Sequence, residues 1–228
     1  MNTKARGLDS APLSRRAFLE AAGLTGLTLA LPSSVACVAA PPSAKAAPPG
    51  PLDLPRTRPS DWDPIAFNRT RGNAGAIPES YLPKINGPDG ATQHMGKHLP
   101  YLPTGPAAPR GMIAVMWGDP SRGYAMHPNA RKSDKLPSGH WFDWIRVRRA
   151  VEGDAPEQES RYSDWPATTP SDSGRLAGFQ GDDPAANEGR NTVYMVALPP
   201  DARPGDWVRV HGHCLTHGEY VEFVRLPG

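Results

Sequence analysis

Proline runs through this chain at a density that excludes long helices. The sequence holds 28 Pro and 23 Gly among 228 residues, which makes proline about 12% of the chain against a usual ~5%. Proline lacks a backbone N–H group and clashes with the preceding turn of a helix. The chain is therefore suited to short strands that are separated by turns.

Apolar stretches bounded by Pro or Gly follow one another after about residue 75. In the last of them Val221 and Phe223 recur at every second position, which is typical of a half-buried strand. Residues 151–190 are polar and predict long loops with one edge strand around 161–165. The predicted strands are Gly111–Trp117, Trp141–Arg149, Asn191–Leu198, Asp206–His213 and Glu219–Arg225. This pattern predicts an all-β fold, an antiparallel β-sandwich.

The N-terminus carries a targeting pattern. Arg15 and Arg16 are followed by Phe18, Leu19 and an apolar run over 21–31, an order that resembles a twin-arginine export signal. The run is shorter than the ~20 residues that span a bilayer, so no stable membrane span is expected. The pattern predicts export to the periplasm.

Three regions follow from these patterns. We expect a signal peptide over 1–40, a Pro-rich linker over 41–75 and one domain over 76–228. Cys37 raises the alternative of a lipid anchor, but Ser34 stands where a lipobox has Leu. The export reading is therefore preferred to the lipoprotein reading.

Charge and cysteine content exclude several classes of protein. Without the first 40 residues the chain holds 21 basic and 21 acidic residues, whereas a nucleic-acid-binding domain needs an excess of cations. Two cysteines exclude a disulfide-rich scaffold and any zinc or iron–sulfur module built from CxxC pairs. No nucleic-acid partner is expected.

Histidines and one cysteine recur in distinctive local contexts. His98 precedes Leu-Pro, His127 precedes Pro-Asn, and His140 opens a predicted strand, while Cys214 and His217 stand three residues apart in a predicted turn. Imidazole and thiolate donors together favour a borderline or soft transition metal. Ligands on loops over a rigid sandwich would form a preformed pocket.

These segments, in this order, resemble the superoxide reductases, which include the neelaredoxins and the iron domain of desulfoferrodoxin. Lys97-His98-Leu99-Pro100 resembles the first family segment. The pair His127-Pro128-Asn129 and His140-Trp141-Phe142-Asp143-Trp144-Ile145 resembles the second, and Cys214-Leu215-Thr216-His217-Gly218 resembles the third. The resemblance covers roughly residues 80–228.

The resemblance implies an immunoglobulin-like β-sandwich with one mononuclear non-haem iron that cycles between Fe²⁺ and Fe³⁺. The implied iron ligands are four histidines and an axial cysteine thiolate, namely His98, His127, His140, His217 and Cys214. The position opposite the thiolate stays open for superoxide, which is reduced to hydrogen peroxide. Lys97 is implied to attract the superoxide anion and to organise the water that supplies protons. An external electron donor is required, and a homo-oligomer is compatible with the sequence.

Three features depart from the family pattern. Gly96 stands where the family has a Glu that closes the sixth iron position in the resting form. His127 and His140 are 13 residues apart instead of about six, and the extra loop over 130–139 carries three basic residues. No rubredoxin-like cysteine cluster precedes the domain, so the protein would be a one-iron form that depends on an outside reductant.

Other readings of the same residues remain open. A cupredoxin-like copper or electron-transfer module would also be an exported sandwich with a Cys-x-x-His step, but it needs only two histidines and usually a Met after the second. A non-catalytic interaction domain and a related domain recruited to other redox chemistry are further alternatives. His94 is predicted to be solvated, and His211 and His213 to be surface groups or neighbours of the ligands.

Overall fold

A computed structural model describes residues 54–166, 175–178 and 187–228. The predicted signal peptide and Cys37 lie outside these residues. The described chain forms two antiparallel four-stranded sheets, with strand orders β1-β2-β6-β5 and β4-β3-β7-β8. The strands are β1 (Pro100–Tyr101), β2 (Met112–Trp117), β3 (Phe142–Arg149), β4 (Glu157–Arg161), β5 (Arg175–Gly178), β6 (Thr192–Ala197), β7 (Trp207–Cys214) and β8 (Gly218–Arg225).

Apolar side chains from both sheets share one core, which makes the fold a β-sandwich. Val115 on β2, Tyr194 on β6, Ile145 on β3 and Val210 on β7 belong to this cluster, and all four are fully buried. The five strands predicted from apolar patterning are present, and each end lies within one residue of the predicted end. The predicted antiparallel sandwich is therefore confirmed.

The predicted edge strand is present, but its bounds of 161–165 are wrong, because β4 spans Glu157–Arg161 at the edge of its sheet. Its sequence is polar and lacks apolar alternation, and its side chains pair with the neighbouring strand. Glu159 lies opposite Arg146 on β3, and their side chains form an ion pair at 2.7 Å. Trp165, which was included in the predicted strand, instead points into the core.

Short helices and helical turns precede the first sheet. Helix α1 spans Pro64–Arg71 and helix α2 spans Leu82–Ile85. Three-residue 3₁₀ turns and short π-helical turns complete this segment and the later loops. They are Gly72–Ala76, Glu79–Tyr81, Gly90–Met95, Gly96–His98, Pro120–Arg122 and Asn187–Gly189.

Helix α1 lies in the range that was predicted as linker, and it packs on the edge of β8. Asp63 caps its N-terminus through two backbone N–H groups, as acidic caps commonly do. Asn68 donates to the carbonyl of Val221 at 2.7 Å and accepts from the N–H of the same residue at 2.7 Å. Consecutive residues of β8 from Tyr220 to Phe223 are buried, so the strand is covered on both faces rather than half-buried. Within the described ranges, no helix is both long and apolar enough to cross a membrane.

Candidate metal centre

Five donor side chains from four separate parts of the chain meet at one end of the sandwich. Their ligand atoms all lie within 4.8 Å of one another. Four of the residues are buried, with at most 8% of their surface exposed, and the fifth is half-buried. The set consists of His98, His127, His140, Cys214 and His217. The structure thus brings together all five of the residues that the motifs singled out as candidate ligands.

The β7–β8 turn holds two of the donors. The N–H of His217 donates to the carbonyl of Cys214 at 3.1 Å, which folds the Cys-x-x-His step back on itself. Gly218 follows with φ +83°, and a Cβ atom there would lie 2.3 Å from the carbonyl oxygen of Ala76. Glycine is therefore required both by the backbone conformation and by the close approach of the N-terminal segment.

The loop over 130–139 does not separate the two histidines at its ends. Ala130 and His140 exchange two backbone hydrogen bonds of 2.9 Å, which close the base of the loop. The hydroxyl of Thr216 donates to the carbonyl of Gly139 at 2.7 Å, which ties the loop to the turn that carries Cys214. His127 and His140 can therefore share one site despite their 13-residue spacing.

Hydrogen bonds among the histidine rings cannot satisfy every ring nitrogen of the cluster. His217 Nδ1 lies 3.0 Å from the Nε2 atoms of both His98 and His140. The Nδ1 of His98 donates to the carbonyl of His94 at 2.6 Å, so in the neutral ring Nε2 carries a lone pair. One proton on His217 cannot serve both neighbours, and lone pairs are left facing each other.

A shared cation accounts for this arrangement. Imidazole nitrogen binds transition metals at about 2.0–2.1 Å, so two nitrogens at right angles around one ion are about 3.0 Å apart. The two nitrogen–nitrogen distances at His217 have this value. The sulfur of Cys214 lies 3.6 Å from His127 Nε2 and 3.7 Å from His217 Nδ1, as a metal–sulfur bond of about 2.3 Å and an angle of about 110° at the ion would give. The residues therefore fit a metal ion.

Burial keeps the four imidazoles in the neutral form that binds metals. Desolvation lowers the pKa of His140 to about 4 and that of His217 to about 2, and it holds the pKa of His98 and His127 well below the usual value. Burial raises the pKa of the Cys214 thiol to about 12, so a thiolate there needs a bound cation. A donor set of nitrogen and sulfur without carboxylates favours a borderline or soft metal.

Aromatic rings enclose the cluster. Tyr220 stacks on His98 with 4.3 Å between ring centroids, and Tyr81 stacks on His217 at 3.9 Å. The Tyr81 hydroxyl contacts His94 Nδ1 at 3.1 Å. His94 is thus half-buried and hydrogen-bonded, not solvated as predicted. The sequence did not single out either tyrosine, because no motif contains Tyr81 and Tyr220 reads as part of an ordinary strand.

Lys97 stands beside the donors. It is half-buried, and its ammonium nitrogen lies 5.7 Å from the ring centroid of Tyr81. Burial lowers its pKa, although a negative charge on Cys214 acts in the opposite direction. The Lys97 charge contributes to the lowered pKa of all four clustered histidines. Its field therefore acts on the whole cluster.

The departure at Gly96 has a steric explanation. A Cβ atom at this position would lie 2.2 Å from the ring of Tyr124, a distance that no side chain tolerates. Tyr124 occupies the space that a longer residue would need. A glutamate at position 96 is therefore excluded unless the Tyr124 ring moves.

The two remaining histidines of the described chain pair with carboxylates instead. His211 Nε2 lies 2.9 Å from Glu219, which also forms an ion pair with Arg71 at 3.2 Å. His213 Nδ1 pairs with Asp143, and its ring stacks on Trp144. Neither histidine belongs to the cluster, as predicted.

Comparison with known proteins adds no relative. No protein-family model, no curated protein and no solved structure matches this chain.

Proposed function

We propose that this protein is an exported superoxide reductase with one mononuclear iron held by the clustered histidines and cysteine. The observation that carries the proposal is the buried set of four imidazoles and one thiol whose ligand atoms lie within 4.8 Å of one another. The ordered motifs that resemble the superoxide reductases add iron as the metal and an immunoglobulin-like topology for the sandwich. His98, His127, His140 and His217 would hold the iron together with Cys214.

The protein's part in this chemistry is to prepare the donors. When bound, the iron supplies one electron to superoxide and receives one from a donor. Desolvation keeps the imidazoles neutral, and the His98–His94 hydrogen bond of 2.6 Å fixes which ring nitrogen faces the site. The stacked rings of Tyr81 and Tyr220 exclude water around the donors. The site is thus preorganised before a metal arrives.

Lys97 would bring the substrate in. Superoxide is an anion, and a half-buried ammonium group raises the local concentration of anions more strongly than an exposed one. The same ammonium group can hold the water molecules whose protons complete hydrogen peroxide. Each superoxide ion takes up one electron and two protons in this reaction. Lys97 therefore acts on the substrate and is not a metal ligand.

An external donor must return the electron, because Cys214 is the one cysteine of the predicted domain and a cysteine-bound second redox centre cannot form there. Export through the twin-arginine route would place the protein in the periplasm with its metal already inserted. A folded, metal-loaded protein suits that route, because the ion is then chosen in the cytoplasm, away from competing metals.

The proposal is tested by metal analysis and pulse radiolysis of the purified protein. We expect about one iron per chain and a second-order reaction of the reduced protein with superoxide that produces hydrogen peroxide. Lys97→Met should slow this reaction by about tenfold without changing the iron content. Lys84→Met, which changes an exposed lysine, should leave the rate unchanged. Stoichiometric copper, or loaded iron that does not react with superoxide, would overturn the proposal.

A further inference from the structure

A cavity lies next to the candidate metal centre, on the face of the β1-β2-β6-β5 sheet that points away from the sandwich core. Its volume is about 270 Å³. Met116 on β2 lines the cavity, whereas its neighbour Trp117 points into the core, as alternation along a strand requires. The lining residues are Tyr101, Pro103, Thr104, Met116, Pro120, Met126 and Asn191.

The wall between the cavity and the candidate metal centre is one polypeptide layer thick. Met126 lines the cavity, and the next residue, His127, is one of the five donors. The N–H of His127 donates to the carbonyl of Trp117 at 3.0 Å, which joins the two segments of the wall. A molecule in the cavity would therefore lie close to the candidate ligands, separated from them by this wall.

Aromatic contacts continue from this wall to the donors. The Trp117 ring stacks on Phe142 with 3.5 Å between centroids and 7° between planes. Phe142 in turn lies 4.9 Å from the His127 ring, and it pairs with Cys214 across the β3–β7 ladder. The contact Met116–Trp117–Phe142 thus gives a continuous path of covalent bonds and packed rings from the cavity to the site.

The lining indicates the chemistry of a ligand. None of the residues that the structure places around the cavity carries a charge, so an ion would lose its hydration without gaining a partner. Methionine sulfur and the Tyr101 ring favour aromatic groups. Tyr101, Thr104 and Asn191 add a few polar groups of the kind that orient a ligand in an apolar pocket. A cavity of about 150 Å³ suffices for benzene, so this cavity is large enough for one or two fused rings.

We propose that the cavity binds an uncharged aromatic hydroquinone of one or two rings and that this molecule is the external electron donor. The inference rests on the proposed function. A hydroquinone releases two electrons and two protons when it becomes a quinone, so one molecule serves two turnovers. Overall, two superoxide ions, one hydroquinone and two protons give two molecules of hydrogen peroxide and one quinone.

Binding is tested without using the metal chemistry. Protein labelled with ¹³C at the methionine methyl groups is titrated with 2,3-dimethyl-1,4-naphthoquinone, whose substituted ring cannot add a thiol. We expect saturable shifts of the Met116 and Met126 methyl signals and none of Met95, which lies in a different cluster. Thr104→Trp, at an exposed position on the cavity rim, should abolish these shifts, whereas the exposed control Ser60→Trp should keep them. Absence of the shifts, or an equal shift of Met95, would overturn the inference.

The donor role is tested by stopped-flow reduction of the oxidised protein. Thr104→Trp should slow reduction by 2,3-dimethyl-1,4-naphthohydroquinone at least about tenfold, equivalent to 1.4 kcal/mol of activation free energy, and leave reduction by dithionite unchanged. Equal rates for the variant and the parent with the hydroquinone would overturn the donor role. If the protein proves unable to reduce superoxide while the methyl shifts persist, the proposed function fails and the ligand site stands.

Discussion

Six of the seven histidines of this protein fall into two groups that satisfy their ring nitrogens in different ways, and the seventh, His94, contacts the Tyr81 hydroxyl. His211 and His213 each face a carboxylate, Glu219 and Asp143 respectively. The four clustered rings at the end of the sandwich face one another and a cysteine sulfur, with no carboxylate in the set. A buried polar group needs a partner, and only the first group finds its partner among acidic side chains.

The difference separates a structural histidine from a candidate ligand. Glu219 accepts from His211 and also pairs with the fully buried guanidinium of Arg71, so the local charges are balanced. In the cluster the neutral rings have surplus lone pairs, and a bound cation would satisfy them and the thiolate together. The variants and conditions that follow each test one of these two groups of histidines.

The largest effect is expected when the single sulfur is removed from the cluster. Cys214→Ser replaces a thiol by a hydroxyl, so the visible absorption that we expect from thiolate-to-iron charge transfer in the iron-loaded, oxidised protein should vanish. Absorption spectra of the oxidised iron-loaded protein measure this. His213→Gln, one position away on the opposite face of β7, is the matched control and should retain the band. A Cys214→Ser variant that keeps the colour and the activity would remove Cys214 from the ligand set.

Acid should destabilise the metal-free protein, because burial holds clustered histidines in their neutral form. Unfolded imidazoles take up a proton below pH ~6.5, but burial holds the pKa of His140 at about 4 in the folded chain. The unfolded state therefore binds more protons, and the stability present above pH ~6.5 is lost as the pH falls towards 4. His140 alone contributes about 3 kcal/mol to this loss.

Urea unfolding of the metal-free protein between pH 7 and pH 4.5 measures this dependence. His140→Gln should flatten the profile by about one proton, because one titrating ring has been removed. A free energy of unfolding that stays constant over this range would show that the cluster is not buried in its neutral form.

Some elements of the fold can be predicted from the sequence and others cannot. Strand positions follow from apolar patterning within one residue, because β2, β6, β7 and β8 each present regular buried positions to a shared core. Helix α1 could not be predicted in the same way, since it is largely polar and docks on β8 through Asn68 and through the Arg71–Glu219 ion pair. Strand β4 is likewise polar, and it is held by charge pairs with Arg146 and Arg209.

The residues of the candidate site likewise include some that the sequence predicts and some that it does not. The five donors could be singled out because each stands at the end of a strand or in a turn that has its own sequence context. The aromatic enclosure could not, since Tyr81 and His217 are stacked but lie far apart in the chain and no local pattern links them. That the donors bind iron and reduce superoxide stays a prediction.

A matched pair of histidine variants tests the comparison directly. His217→Ala should weaken metal binding by at least about a hundredfold, because it removes the nitrogen closest to two other donors and even outer-shell changes cost ~10–100-fold. His211→Ala should leave metal affinity unchanged and lower only the unfolding temperature. Competition against a chromophoric chelator measures the affinities. Equal affinities for the two variants would contradict the division into two groups.

The smallest effect concerns the charge pair behind His211. Glu219→Gln leaves the Arg71 guanidinium, which is fully buried, without its carboxylate, and breaking a fully buried pair costs about 3–5 kcal/mol. Since 28% of the Glu219 side chain is exposed, we expect about 2–3 kcal/mol in urea unfolding. Asp143→Asn is the matched control, because both members of the Asp143–His213 pair are more than a quarter exposed, and such a pair contributes at most about 1 kcal/mol. If both variants lose the same stability, the carboxylate of Glu219 is not balancing a buried charge, and His211 would need another explanation for its place outside the cluster.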